Sequence, residues 1–156
     1  MSYKLSKRSL KRLDGVHPQL VETVKIALGK YAVYDFGVTC GVRDLKTQKK
    51  LLKSGASKTL KSKHLVQSDG YSHAVDLVAY DGSVRWEMPY YIATAEAMRD
   101  AAQEVGLAMT WGACWHVKDY CAVEEDCDDL MDDYIALRRS QSRKAFLDGP
   151  HWQARF

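Results

Sequence analysis

Three observations predict an α+β domain, with helices packed on one side of a small antiparallel sheet. Stretches with apolar residues at helical spacing interleave with short stretches of period-two alternation. The turn dipeptide Asp81-Gly82 joins two strand-like stretches as a hairpin. The length, 156 residues, is one domain's worth and enough to bury a core, so a second full domain is not expected.

The elements follow in order. His17-Pro18 opens a helix marked by Leu20, Val24, Ala27, Leu28 and Tyr31, with Pro18 where a first-turn proline is tolerated. From Asp35, the residues Phe36, Val38, Cys40 and Val42 alternate with small or polar ones as in a half-buried strand, and Arg43 stands at its end. Asp44 is placed to cap a short helix carrying Leu45, Gln48, Leu51 and Leu52, closed by Gly55. A Ser/Lys-rich loop follows. Ala74 to Tyr80 is the next strand, and Val84 to Trp86 folds back on it. Pro89 reads as an interruption before a helix marked by Ile92, Ala95, Met98, Ala102 and Val105, ended by Gly106. Leu107 to Trp111 and His151 to Phe156 complete the strands. Between these two, Trp115 to Leu147 holds an acidic run and too little apolar surface to be core throughout, which predicts a surface excursion with some helix.

Hydrophobic residues make up 46% and charged residues 28%, which excludes collagen-like, disordered and fibrous classes. No apolar run approaches a bilayer span, and MSYKLSKRSLKR has no apolar stretch to serve as a signal peptide. A cytoplasmic origin without stable membrane insertion is expected. The net charge of +3 hides a division, +11 over residues 1–64 (15 basic, 4 acidic) and −8 over 65–156 (8 basic, 16 acidic). A basic half attracts polyanions, and charge alone does not choose between nucleic acid and an anionic envelope. Cys40, Cys114, Cys121 and Cys127 form no C-x-x-C pair, so they read as buried or spare thiols. The acidic run lacks EF-hand spacing.

Three segments carry chemistry: Ser62-Lys63-His64, Ser72-His73-Ala74-Val75-Asp76 and Asp148-Gly149-Pro150-His151. A hydrolytic zinc site needs three N or O ligands and one open position, which two His and one Asp satisfy. It also needs a base near the third ligand to take a proton from water.

In these ordered segments the chain resembles the zinc D-Ala-D-Ala peptidases of the vancomycin-resistance carboxypeptidase kind (VanY-like, the hedgehog/LAS fold type), and among them the bacteriophage L-alanyl-D-glutamate endolysins. Ser62, His64, Ala74 and Asp76 match the first family signature, and Asp148 and His151 match the second. The opening MSYKLSKRSLKRL, the triplet ending at Arg43 and the Trp111-Gly112-x-x-Trp115 element also look like the phage branch. The resemblance implies one zinc ion on His64, Asp76 and His151, Asp148 as catalytic acid/base, and Arg43 beside the substrate carbonyl and its developing oxyanion. Trp111 and Trp115 are candidates for substrate contact as well as for packing.

The chain departs from the family pattern in three places. Asp76 follows His64 by twelve residues, more than the family spacing, so residues around 67–71 read as inserted. Ser72 replaces the usual glycine and brings His73 beside it; in an extended stretch His73 points away from the face shared by Ser72, Ala74 and Asp76, which favours His64 as ligand. Gln153 stands where phage relatives often carry glutamate. His17 and His116 show no partner signal.

The resemblance implies a single-domain phage endolysin that cuts the peptidoglycan stem peptide at L-Ala-D-Glu, acts as a monomer, takes no nucleic acid, and waits in the host cytoplasm until lysis gives it the periplasm. The alternatives are a D,D-carboxypeptidase or dipeptidase acting on terminal D-Ala, and a non-catalytic wall-binding module.

Overall fold

The computed structural model describes residues 2–156. Five antiparallel strands form its sheet: β1 Asp35–Cys40, β2 Ala74–Tyr80, β3 Val84–Arg85, β4 Ala108–Trp111 and β5 His151–Arg155. Their order is β1-β2-β5-β4, with β3 also on β2. The apolar run of β2 makes it the hub: Ala74 to Asp76 pair with β5, Ala79 and Tyr80 pair with β3, and β1 pairs with it from Asp35 to Cys40.

Alternation divides the sheet into two faces. Phe36, Val38, Val75, Leu77, Met109, Trp111, Trp152 and Ala154 join the buried core. In the same cluster lie Leu20, Val24 and Leu28 of α2 (Pro18–Ile26, continued by a π-turn, Ala27–Tyr31), Met98 and Ala102 of α4 (Met88–Val105), and Leu130 of α5 (Cys127–Ser140). The helices therefore cover one face. Asp76, His151 and Gln153 alternate with these core residues and lie on the other.

The alternation from Phe36 to Val42 predicts an unbroken strand, but β1 ends at Cys40, and its register slips between Val38 and Cys40. Val38 faces Leu77 across the ladder and Cys40 faces Asp76, so the bulge at Thr39 turns Cys40 from the core side to the Asp76 side. A short helix that the apolar periodicity does not announce, α1 (Lys7–Arg12), covers this edge. Ser9 Oγ accepts from Val38 N at 2.9 Å, and Arg12 Nη1 donates to Val38 O at 2.9 Å.

Pro89 does not interrupt. It occupies the first turn of α4, where its missing N–H costs nothing, and the helix runs on to Gly106 at φ 82°. The fourth strand is one residue shorter than predicted, and β3 and β5 end one residue early. In α3 (Leu45–Ser54) the Asp44 cap and Gly55 stop stand as predicted, Asp44 Oδ1 accepting from Thr47 N at 2.7 Å, but the apolar stripe is not core. Leu45 and Leu52 are exposed, and the buried residue is Gln48.

The stretch from 115 to 147 is an excursion with helix, as its composition predicts. Glu96 and Arg99 on α4 anchor its middle: Arg99 Nη1 donates to Glu125 O at 2.6 Å, and Glu96 Oε1 accepts from Cys127 N at 2.7 Å. All four cysteines are free thiols, and Cys114, Cys121 and Cys127 are buried. Burial pushes the Cys114 and Cys121 thiols up to about 12. Among the described residues no helix is long and apolar enough to cross a membrane.

Candidate active site

On the sheet face opposite the helices, β2 presents Asp76 and β5 presents His151, paired directly across the ladder. His64 reaches them from the loop before β2. Its S-x-H signature has a local cause: Ser62 Oγ accepts from the His64 amide at 3.2 Å, a serine turn that fixes the backbone. Arg43 N also donates to His64 O at 2.9 Å. Ser72, buried in place of a glycine, spends its hydroxyl on Lys63 O (3.3 Å) and Ala74 O (3.2 Å), tying the loop to the strand.

The three ligand atoms form a near-equilateral triangle. His64 Nε2 lies 3.1 Å from Asp76 Oδ1 and 3.2 Å from His151 Nδ1, and His151 Nδ1 lies 3.2 Å from Asp76 Oδ1. Four-coordinate bonds of ~2.0–2.1 Å place neighbouring donor atoms ~3.3 Å apart, so the triangle fits one small tetrahedral ion. The outer hydrogen bonds give the same answer. His64 Nδ1 lies 2.8 Å from Gly41 O, and a carbonyl only accepts, so the ring proton is at Nδ1 and Nε2 is bare. His151 Nε2 lies 2.9 Å from Gln153 Oε1, which leaves Nδ1 bare. With both rings neutral, two lone pairs and a carboxylate oxygen face one point, the donor set of a metal centre.

Without a cation the same point draws a proton. Burial works against a charged His64, but its contacts with Asp76 and Cys40 outweigh burial and raise it to about 10. Burial likewise disfavours the Asp76 anion, yet the two histidines hold its carboxyl below the usual range. The cluster attracts positive charge.

Asp148 completes the constellation: a carboxylate oxygen of Asp148, one of Asp76 and a ring nitrogen of His151 all lie within 4.8 Å of one another. Burial raises the Asp148 carboxyl above its ordinary range, as does the nearby Asp76 charge, while His151 opposes the shift. Its position comes from the Trp111-Gly112-x-x-Trp115 element. Trp111 Nε1 donates to Gly149 O at 2.8 Å, Trp115 Nε1 donates to Phe146 O at 3.0 Å, and Gly112 N donates to His151 O at 2.9 Å.

Arg43 and Trp115 line the cleft over this cluster, which has a volume of ≈ 610 Å³. Arg43 Nη2 donates to Asp76 Oδ2 at 3.3 Å. Trp115 stands 5.3 Å from the His151 ring. Trp111 is a correction. It is fully buried, stacked at 6.3 Å on Trp152, and therefore reaches no substrate; its part is to hold the Asp148 turn. His73 points away as the strand argument predicts, its Nε2 2.7 Å from Asp69 Oδ2 and its ring against Phe156. The inserted turn is pinned there, on the far side from the ligands. His17 caps α2, its Nδ1 accepting from Gln19 N at 3.1 Å, and His116 stacks on Tyr134.

Gln48 belongs to the site, although its sequence position suggests only a helix face. Fully buried, it accepts from Arg43 Nη1 at 2.8 Å and donates to Ser57 Oγ (2.7 Å) and Thr59 O (2.6 Å). A polar residue on the inner face of a helix, five residues after a candidate arginine, is the signal that marks it.

A sheet face of this kind, with two histidines and a carboxylate at ligand spacing and a further carboxyl beside them in an open cleft, could hold a metal ion and has the make-up of a hydrolase site. More narrowly, the chain belongs to the phage L-alanyl-D-glutamate peptidase family, whose model matches residues 1–137. It is 30% identical over 126 residues to the L-alanyl-D-glutamate peptidase of Escherichia phage T5, a match covering 77% of this chain and 88% of that protein. The crystal structure of the Serratia marcescens L-Ala D-Glu endopeptidase ChiX superposes with a TM-score of 0.70 at 33% identity, over 99% of this chain and 92% of that one.

Proposed function

We propose that the protein is a phage endolysin, a zinc peptidase that hydrolyses the L-Ala-D-Glu bond of the peptidoglycan stem peptide. The observation that carries this reading is the convergence of His64 Nε2, Asp76 Oδ1 and His151 Nδ1 within 3.2 Å, beside Asp148 in an open cleft. Two relatives named for L-Ala-D-Glu cleavage supply the bond.

His64, Asp76 and His151 would hold the zinc. When bound, it supplies Lewis acidity toward the scissile carbonyl and acidifies water. The chain does the rest. Asp148, raised by burial, takes the proton of the attacking water and returns it to the leaving nitrogen of D-Glu. Arg43, always cationic and held by Gln48 and Asp76, keeps a planar fork at the cleft for the carbonyl oxygen as charge develops there. Trp115 forms an apolar wall beside His151.

The test compares zinc content and the masses of muropeptide products for wild type, Asp148→Ala and His64→Ala. The reading expects about one zinc and L-Ala-D-Glu cleavage in wild type. Asp148→Ala keeps zinc without cutting, and His64→Ala loses it. Products ending at a different bond, or a zinc-free protein that leaves peptidoglycan intact when zinc is added, overturn it.

A further inference from the structure

Arg138 stands near the end of α5, on the excursion rather than the sheet, and lines the same cleft as the ligand cluster. Among the described residues, its Nε is the one buried side-chain nitrogen or oxygen without a hydrogen-bond partner, and no carboxylate lies within ion-pair distance of its guanidinium. A cation in the last turn suits a helix dipole, which accounts equally for Arg139 beside it. It does not account for a half-buried guanidinium in the cleft wall whose covered Nε has no acceptor. Buried donors are normally satisfied, and one that is not calls for a partner from outside the chain, whether water, an ion or a bound group.

The surrounding chemistry says what binds. Loop 56–64 adds Lys58, Lys61 and Lys63 to the cleft, while its carboxyls are Asp76, already bonded to Arg43 and the histidines, and Asp148. The cleft therefore presents fixed positive charge beyond what its own acids neutralise, and a guanidinium offers planar, paired donors to a carboxylate. In a stem peptide D-Glu is linked onward through its γ-carboxyl, so its α-carboxylate is free, one carbon from the scissile nitrogen. A dicarboxylic diamino acid in the following position carries another.

Resting on the proposed L-Ala-D-Glu activity, we infer that Arg138 is a specificity-determining residue that binds a free carboxylate of the stem peptide on the leaving-group side of the scissile bond.

The experiment uses three synthetic stem peptides: one with both carboxylates free, one amidated at the D-Glu α-carboxyl, and one amidated at the diamino acid. Each is cut by zinc-loaded wild type, Arg138→Ala and Arg138→Lys. Wild type is expected to lose ~10-fold or more in kcat/KM on one amidated peptide, which identifies the carboxylate. Arg138→Ala loses the same factor on the free acid but little on that amide, so discrimination disappears, and Arg138→Lys recovers part of it. Equal loss on every peptide means a structural role and overturns the inference, as does wild type that does not discriminate. Wild type that cuts none of the three at L-Ala-D-Glu overturns the functional reading itself. Zinc content of the two variants, unchanged from wild type, separates lost recognition from a lost fold.

Discussion

Gly112 and Asp148 lie backbone against backbone. The Asp148 amide donates to the Gly112 carbonyl at 2.8 Å, and a Cβ at 112 would stand 2.1 Å from Asp148 O and 3.1 Å from Asp148 Cβ. No side chain fits there unless the turn that aims the acid/base moves.

Gly112→Ala therefore displaces Asp148. A shift of about 1 Å in a reacting group costs on the order of 10²-fold in rate, so kcat is expected to fall by about that factor. Zinc content changes less, because two of the three ligands come from elsewhere. Steady-state kinetics beside metal analysis checks this, and an unaltered kcat removes Gly112 from any positioning role.

Gln153 fixes the His151 ring by accepting from Nε2 at 2.9 Å. Outer partners of metal-binding histidines are commonly worth ~10–100-fold in metal affinity, so Gln153→Ala is expected to weaken zinc by that order. Gln153→Glu keeps an acceptor in place and should hold zinc at least as well. Competition with a chelator measures both.

Gln48→Ala removes the acceptor of Arg43 Nη1 and the donor to Ser57 Oγ and Thr59 O, at a position that is itself fully buried. Each lost satisfaction costs ~1–3 kcal/mol, so a denaturant midpoint should fall measurably. Activity should fall with it, since Arg43 loses its bond to Gln48. A stable variant with full activity would contradict this account of α3.

His73→Ala is expected to keep zinc and activity while loosening the turn at 67–71, which loses its tie to Asp69. Limited proteolysis reads the turn, and metal analysis reads the site. Loss of zinc in this variant would move the ligand assignment from His64 to His73.

The outline of the molecule was legible wherever one local signal sufficed. The hairpin at Asp81-Gly82, the Asp44 cap with its Gly55 stop, and strands β2 and β5 each follow from a few adjacent residues. The convergence of His64, Asp76 and His151 was legible because motif order and strand alternation both point to it. What escaped depends on contacts between distant segments. The slip in β1 and the short α1 explain each other, since Ser9 and Arg12 hold Val38, and neither is visible from its own sequence. Pro89 suits both a break and a helix start, and only the packing of α4 chooses. Trp111 alternates onto the core face once β4 pairs with β5, so its indole anchors the turn from below rather than meeting a substrate. Gln48 and Arg138 gain meaning only from a cleft assembled by segments far apart in the chain.

Last of the five strands in chain order, β5 nevertheless lies inside the sheet, between β2 and β4. It carries His151 and the residue that orients it, and among the described residues no other strand pairing joins β4 to the rest. Seating β5 therefore joins β4 to the sheet and brings His151 to Asp76 in one event. A chain folded without this strand has a split sheet and an unfinished cleft, so the two are completed together or not at all.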